Sequence, residues 1–495
     1  MALSMLGFAV ALLLCEVAAR IIDGQTLTAL QLRFVGFSPP GPARKLDPTL
    51  GGGALPPDID PAWIDVPPPA SRRPRVDREL AALQKEAVRL GSKPFEVFRI
   101  WNRLFVEESG CTPGSTFLRL PQPMLVFDPP EPSHFPTYRY LPSRTLSGGL
   151  STNSFGWRGP EIPLDKPPGT VRIAFVGAST TVGMLNLPFS YPEYVVHWLN
   201  LWAERNALSV RFDGINAGRE GLSSGPIAAV ARQEVLPAEP DLVVYYEGAN
   251  QSMCVRIGVP APPPRPKSAF WERVDRGLAA ASVYSQIARR GQSASLFLQA
   301  RGGYEPPKPR SEVDWPSGVD ESHPDIDDPR LPERLKIIAK DLESARVPLA
   351  ADGTELALSS FVWLVHDGLR LPPATSLPVY TKLNDGCWPY RYADIRRSVD
   401  LHNHVLEQYA ARQGLPFLHV AELFPPDPRF FFDAVHLNLD GTRAHAWIVF
   451  RELLPIVRAR LESGAWPRPD RMPMAKHPSI GPAQPYTLSC VGQPG

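Results

Sequence analysis

An excess of one charge sign is missing from this sequence. It carries 52 Lys and Arg against 51 Asp and Glu, a formal net charge of +1. There is no basic surplus to draw a polyanion, so the balance gives no bulk reason to expect nucleic acid or an acidic partner. Cysteine is scarce as well. Cys15, Cys111, Cys254, Cys387 and Cys490 show no close metal-type spacing, which excludes a compact zinc cluster. No internal repeat is visible, which sets solenoids and propellers aside. Long apolar runs are also lacking, with one short exception at the start of the chain. Met5 to Cys15 is unbroken, followed by Glu16, Val17, Ala18, Ala19 and Arg20. This stretch is short for a bilayer span and suits a signal-peptide apolar region with a small-residue cleavage site before Arg20. Alternatively it stays as a membrane tether through residues 5–19. No Lys or Arg precedes it, and a buried N-terminal helix is the third reading. Export by either of the first two routes is the expectation, with an extracytoplasmic location, periplasmic or cell-surface.

What the chain has in abundance is proline, 58 of 495 residues. The prolines cluster at 39–69, 121–136, 260–266 and 306–332 and mark extended loops and linkers, because proline fixes φ and removes a donor. Residues 24–75 read as a tether, with GGG and PPP and little periodicity. Residues 76–107 have helical spacing, and 108–170 are irregular with short strand-like runs (TFLRL, MLVFD). The organisation expected is a signal peptide or anchor over 1–23 and a proline-rich linker and accessory region over 24–150. A catalytic-sized domain follows over 151–461, interrupted by an insertion at 255–329, and then a tail over 462–495. In an exported chain one or two disulfides would form. Cys254 with Cys387 is the pair expected, since both follow segments assigned to the site side of the domain. Free buried thiols are the alternative.

From residue 171 short apolar strands alternate with helical patterns. Strands are expected at 171–176, 209–216, 241–248, 355–365 and 415–420. Helices are expected at 191–206, 225–238, 330–347, 400–414 and 440–461. That alternation predicts an α/β fold with a doubly wound, parallel, five-stranded sheet. In such sheets functional groups sit just beyond the carboxyl ends of the strands. Four unusual stretches fall there: FVGASTTVG (175–183), NAGREG (216–221), EGANQ (247–251) and FFDAVHLNLDG (431–441).

The chemistry of these stretches is legible residue by residue. Asp433 and His436 are three apart in a turn-rich segment. The carboxylate can accept from one imidazole nitrogen and leave the other to take a proton from a hydroxyl. Serine needs such a base, and Ser179 at the first strand's end is the natural partner. The amides of Ser179 and Gly218 and the side chain of Asn250 are candidate donors to a developing oxyanion, and glycine at 218 would let a substrate approach the backbone. Other readings compete. Ser179 could cap a helix without chemistry. A phosphate loop would want Gly-x-Gly-x-x-Gly or Gly-Lys-Ser/Thr, and FVGASTTVG has neither. GLSSG (221–225) fits Gly-x-Ser-x-Gly, with Ser223 as a rival nucleophile sharing the same Asp433 and His436. Arg219 and Glu220 contact a substrate or pair with each other. His402, His404 and His445 lie on helices, where His402 and His404 are poorly placed as joint ligands and His445 reads as packed. The acidic PDIDD (324–328) reads as a solvated loop rather than a cation site. Trp198, Trp202 and Trp447 read as core.

Taken in order, GAS (177–179), NAG (216–218), GAN (248–250) and DAVH (433–436) resemble the four blocks of the SGNH (GDSL) hydrolases. The segment NSFGWRGPEIPLDKPPGTVRI (153–173) resembles the lead-in of exported bacterial members. Ala178 stands where the family's name motif has Asp, and Gln251 where Asp or Glu is common. The resemblance implies Ser179 as nucleophile, Asp433 and His436 as its triad partners, and Ser179, Gly218 and Asn250 as the oxyanion hole. It implies a serine esterase acting on a small-molecule or glycan ester, a carbohydrate O-acetyl or lipid acyl group, with no metal or organic cofactor. An O-acyltransferase using the same residues, and a catalytically silent glycan-binding domain, are the alternatives. The insertion at 255–329 follows Asn250 closely, as a specificity-setting lid would. Thr180 and Thr181 are expected to steady the turn by hydrogen bonds.

Overall fold

A computed structural model describes residues 2–22, 42–70, 151–184, 187–252, 317–369 and 391–468, with scattered positions between 253 and 316 and between 370 and 390. The expected helices of 76–107, the TFLRL and MLVFD runs, most of the 255–329 insertion with its lid role, and the tail beyond 468 lie outside the described residues.

The apolar runs become strands because both of their faces are covered. Every residue of β1 (Thr170–Gly177) is buried, as expected of a central parallel strand. β2 (Arg211–Asn216), β3 (Leu242–Tyr246), β4 (Glu355–Ser359) and β5 (Phe417–Leu418) complete a five-stranded sheet in the order β2-β1-β3-β4-β5, parallel throughout. The described helices are α1 (Ala2–Ile22), α2 (Ser179–Val182), α3 (Tyr191–Arg205), α4 (Ser224–Val230), α5 (Ala249–Ser252), α6 (Glu333–Ala351), α7 (Tyr392–Gln413), α8 (Val420–Leu423) and α9 (Leu439–Glu462). Side chains of β1 alternate between two cores, as a period of two requires. Val171, Ile173 and Phe175 face the layer of α3 and α9, and Ala174 and Val176 face that of α4, α6 and α7. Trp198 and Trp447 are fully buried and cross edge to face at 5.1 Å.

The boundaries differ from the sequence reading where tertiary partners decide them. β4 ends at Ser359 although the apolar run continues to Val365. The two-residue β5 pairs only with Leu358 and Ser359, and Leu364 N instead donates to Ala434 O at 2.8 Å. Helix α7 begins eight residues before the expected start, its first turn closed by Asp394, whose carboxylate accepts from Arg391 N. The helix expected over 225–238 changes at Ala231 into a π turn and then a 3-10 turn.

The tether reading of 24–75 fails for residues 44–66. They form a strap on the outer faces of α3 and α9. Arg443 donates to Arg44 O, Trp447 Nε1 to Pro48 O, Trp202 Nε1 to Asp58 and Trp198 Nε1 to Val66 O. Ile59 and Ile64 are buried with the core. Proline and glycine here limit regular structure to one 3-10 helix, Pro61–Asp65, but do not prevent packing, because side chains from the helices satisfy the strap's carbonyls. The tail boundary at 462 is corrected in the same way. Trp466 is buried, and Arg468 donates to Asp352 O and pairs with Asp241.

Among the described residues no helix is long and apolar enough to cross a membrane. Helix α1 contacts the insertion through Glu16, which accepts from Ser285 Oγ and Ile287 N. Cys387 is disulfide-bonded and Cys15 is a free, exposed thiol. Cys111, Cys254 and Cys490 lie outside the described residues, and with them the expected Cys254–Cys387 pairing.

His445 of α9 is packed between Tyr191 and Tyr246, at ring distances of 4.6 and 4.7 Å. Neither of its nitrogens has a hydrogen-bond partner among the described residues, and burial pushes its pKa down to about 3. The folded value lies below the unfolded one, so this group's contribution is complete above the ordinary histidine pKa and shrinks as pH falls towards 3. At pH 5 the loss is about 2 kcal/mol. His445→Phe removes that loss. Thermal melts at pH 8 and pH 5 should show a smaller difference between the two for the variant than for the parent, and an equal difference would refute the assignment.

Candidate active site

The order of strands reverses between β1 and β3, which opens a crevice at their carboxyl ends. β1 stops at Gly177 because nothing larger fits. A methyl there would lie 2.2 Å from Tyr246 O and 2.1 Å from Thr181 Oγ1. The chain turns at Ala178, the N-cap of α2, and places Ser179 at its first position. As a first-turn donor the Ser179 amide has no acceptor within the helix. Ser179 is thus not the cap that the competing reading required.

The residues that follow the last strand fold locally for reasons visible in their composition. Asp433 Oδ1 accepts from the amides of Val435 and His436, both at 2.8 Å, the side-chain-to-backbone turn that Asp favours. Asn438 then caps α9 by accepting from Gly441 N at 3.0 Å. Gly441 is needed because a Cβ would come within 1.9 Å of Phe430 O. These turns present His436 to Ser179. His436 Nε2 lies 2.8 Å from Ser179 Oγ, and Nδ1 lies 2.8 Å from Asp433 Oδ2. Burial pushes the Asp433 carboxyl up. The His436 imidazole, the charge of Lys382 and the Val435 amide outweigh that and hold it at about 2. The carboxylate therefore stays ionised and favours the His436 tautomer with the proton on Nδ1, leaving Nε2 as acceptor for the serine hydroxyl.

The donor set differs in part from expectation. The Ser179 amide stands at the start of α2. Asn250 Nδ2 donates one hydrogen to Leu222 O at 2.9 Å and keeps a second. The Gly218 amide is engaged, donating to Asn216 Oδ1 at 3.1 Å. The reason for glycine at 218 is also different from the one expected. A Cβ would lie 2.5 Å from Val182 N and 2.9 Å from Thr181 Cβ, so the residue that needs the space is the α2 turn rather than a substrate.

Several side chains that sequence reasoning passed over hold this arrangement. Asn216 Nδ2 donates to Thr181 O at 2.9 Å and to Ser190 Oγ at 3.0 Å. Arg158, from the NSFGWRG segment, is buried and donates to Val182 O, Met184 O and Leu187 O. Thr181 Oγ1 donates to Tyr246 O at 3.1 Å, as expected of it. Thr180 does not share that role, since its hydroxyl is buried with no partner among the described residues. Arg219 forms a buried pair with Glu234. Ser223 occupies the N-cap of α4, and no hydrogen bond joins it to His436. His402 and His404 are apart, as expected: His402 Nε2–H donates to Glu247 O and His404 Nδ1–H to Glu321 O. Among the described residues no His, Cys, Asp and Glu group is arranged to hold a metal. In the acidic 324–328 loop Asp327 pairs with Arg412 and Asp328 with Arg330.

No family model and no curated protein matches the chain. Solved structures do. The chain is similar to an acetylxylan esterase from Geobacillus stearothermophilus at 15% identity and TM-score 0.31, covering 57% of this chain and 94% of that one. It is similar to a GDSL-like lipase from Bacteroides thetaiotaomicron at 13% identity and TM-score 0.27, covering 59% and 88%. A lipase/acylhydrolase from Enterococcus faecalis matches at 14% identity and TM-score 0.31, covering 57% and 95%. The fold is a five-stranded, all-parallel α/β sheet with flanking helices. Its chemistry is read from the distances above.

Gly218→Ala tests the close packing of the turn. The methyl should push Thr181 and Val182 away and cost about 1–3 kcal/mol, read as a lowered Tm in thermal melting. An unchanged Tm would show that the turn gives way freely.

Proposed function

We propose that the protein is an SGNH-type serine esterase. The observation that carries the reading is the continuous hydrogen-bonded line from Ser179 Oγ through His436 to Asp433, with 2.8 Å at each step. His436 Nε2 takes the proton of Ser179 as its oxygen forms a bond to the acyl carbon. The carbonyl oxygen gains negative charge and is met by the Ser179 amide and the second hydrogen of Asn250 Nδ2. The Gly218 amide joins by sharing its hydrogen with Asn216. The ester C–O bond then breaks, the leaving alkoxide takes the proton from His436, and the acyl group remains on Ser179. Water attacks the acyl-enzyme, passes a proton to Nε2, and the carboxylic acid leaves as the serine recovers its hydrogen. Asp433 orients the imidazole and stabilises its charged form throughout.

The substrate class we assign is an oxygen ester, a carbohydrate O-acetyl or lipid acyl group, which rests on the four-block resemblance. We also propose that the protein is exported, with the apolar helix α1 as signal or tether. Leu13 and Leu14 there are more than three-fifths exposed, an arrangement suited to a targeting receptor or a membrane surface. Recovery of the intact chain, first twenty residues included, from the soluble cytoplasm would overturn the export reading.

A serine-directed phosphonate and a small acyl-ester assay test the chemistry. Ser179→Ala should lose labelling and lower kcat by more than about a thousandfold. Ser223→Ala should keep both. Loss of activity in the Ser223 variant alone would transfer the nucleophile to GLSSG.

A further inference from the structure

Glu247 directly follows β3 and stands three residues before Asn250. Its side chain is wholly buried. An isolated carboxyl in that position is expensive to keep, because burial removes it from water. No cation pairs with it among the described residues. Burial pushes its pKa up to about 8, against the pull of the amides of Asn250, Gln251 and Gly248. Glu247 Oε1 accepts from Asn250 N at 2.6 Å, while Oε2 has no partner among the described residues. All of the directed contacts of this side chain therefore go to the short stretch that carries Asn250. The backbone carbonyl of the same residue accepts from His402 Nε2 at 3.1 Å. Burial holds His402 down at about 4, so the imidazole is a neutral donor at neutral pH. On the other side, Asn250 Nδ2 is anchored on Leu222 O.

A buried carboxyl with an idle oxygen contributes little to stability compared with an aliphatic side chain of the same size. Its position suits a different task. A four-residue helix has too few internal hydrogen bonds to hold its own first turn, and an oxyanion donor works only when it is aimed before charge develops. From this geometry we infer that Glu247 is the positioning residue for Asn250, fixing the start of α5 so that the free hydrogen of Asn250 Nδ2 points at the substrate oxygen. The inference rests on the serine-esterase reading.

A mutant cycle on the full chain tests it, with phosphonate labelling of Ser179 and turnover of a small acyl ester as readouts. Asn250→Ala should cost about a hundredfold in kcat, the loss of one oxyanion donor. Glu247→Leu, which removes the acceptor, and Glu247→Asp, which withdraws it by one methylene, should each lower kcat about tenfold with KM unchanged. Neither should lower it further in the Asn250→Ala background. Glu247→Gln keeps an acceptor at Oε1 and should recover most of the loss. Should the Leu variant not fold, the Asp variant carries the cycle. Equal losses with and without Asn250, or no loss from Leu and Asp, would overturn the positioning role while leaving the esterase reading intact. A parent chain that neither labels at Ser179 nor turns over ester would overturn both.

Discussion

The turn at Thr181 is held from two sides at once. Asn216 at the end of β2 donates to its carbonyl, and its own hydroxyl donates to Tyr246 O at the end of β3. The carboxyl ends of three adjacent strands are thereby tied to the four residues that carry Ser179. The space between them is so small that glycine is required at both 177 and 218. Holding a serine at hydrogen-bond distance from an imidazole needs such over-determination, because a loop held by one bond would sample many positions. Arg158 extends the bracing. Its guanidinium donates to three carbonyls at the end of α2 and just beyond it and lies 3.4 Å from Glu193. Glu193 accepts from Ser190 and closes the first turn of α3. The loop behind Ser179 is therefore organised by one buried cation and its carboxylate.

Buried arginines recur through the fold, bonded to backbone carbonyls and carboxylates. Arg172 in β1 is fully buried and bonds to Asp213 and to the carbonyls of Leu164 and Ala238. Arg443 joins α9 to the strap through Arg44 O, Ile64 O and Asp65. Such groups cost desolvation, and in return they specify one arrangement of irregular chain against regular elements. Long stretches here have proline where a ladder of backbone bonds would otherwise form. Side-chain cations bonding to carbonyls are the replacement.

Much of the domain was legible from periodicity. The apolar runs at 171–176, 209–216 and 241–248 became β1, β2 and β3 within about two residues, because a central parallel strand buried on both faces leaves a plain mark. β4 was over-read by six residues, since burial beneath the DAVH loop and burial in a sheet leave the same apolar pattern. The strap was misread as a tether because its partners on α9, Arg443, Trp447 and Arg451, lie about four hundred residues away. Glu247 and Arg158 gave local signals, an acid just after an apolar strand and a basic residue in an aromatic turn. What they bond to is non-local.

Residue identity by itself determined which chemistry was within reach: a hydroxyl, an imidazole and a carboxylate near strand ends, and Asp433 three residues from His436. Local physics of that kind acts over a few residues and can be read in one dimension. Sequence favoured Ser179 and left Ser223 as a rival for the same imidazole. Only the tertiary structure shows which hydroxyl reaches it, because that depends on where the sheet's order reverses. That reversal places Ser179 2.8 Å from His436 Nε2 and makes Ser223 the N-cap of α4. The fold likewise decided that Gly218 exists to admit Thr181 and Val182, since close packing is a property of what arrives from elsewhere in the chain.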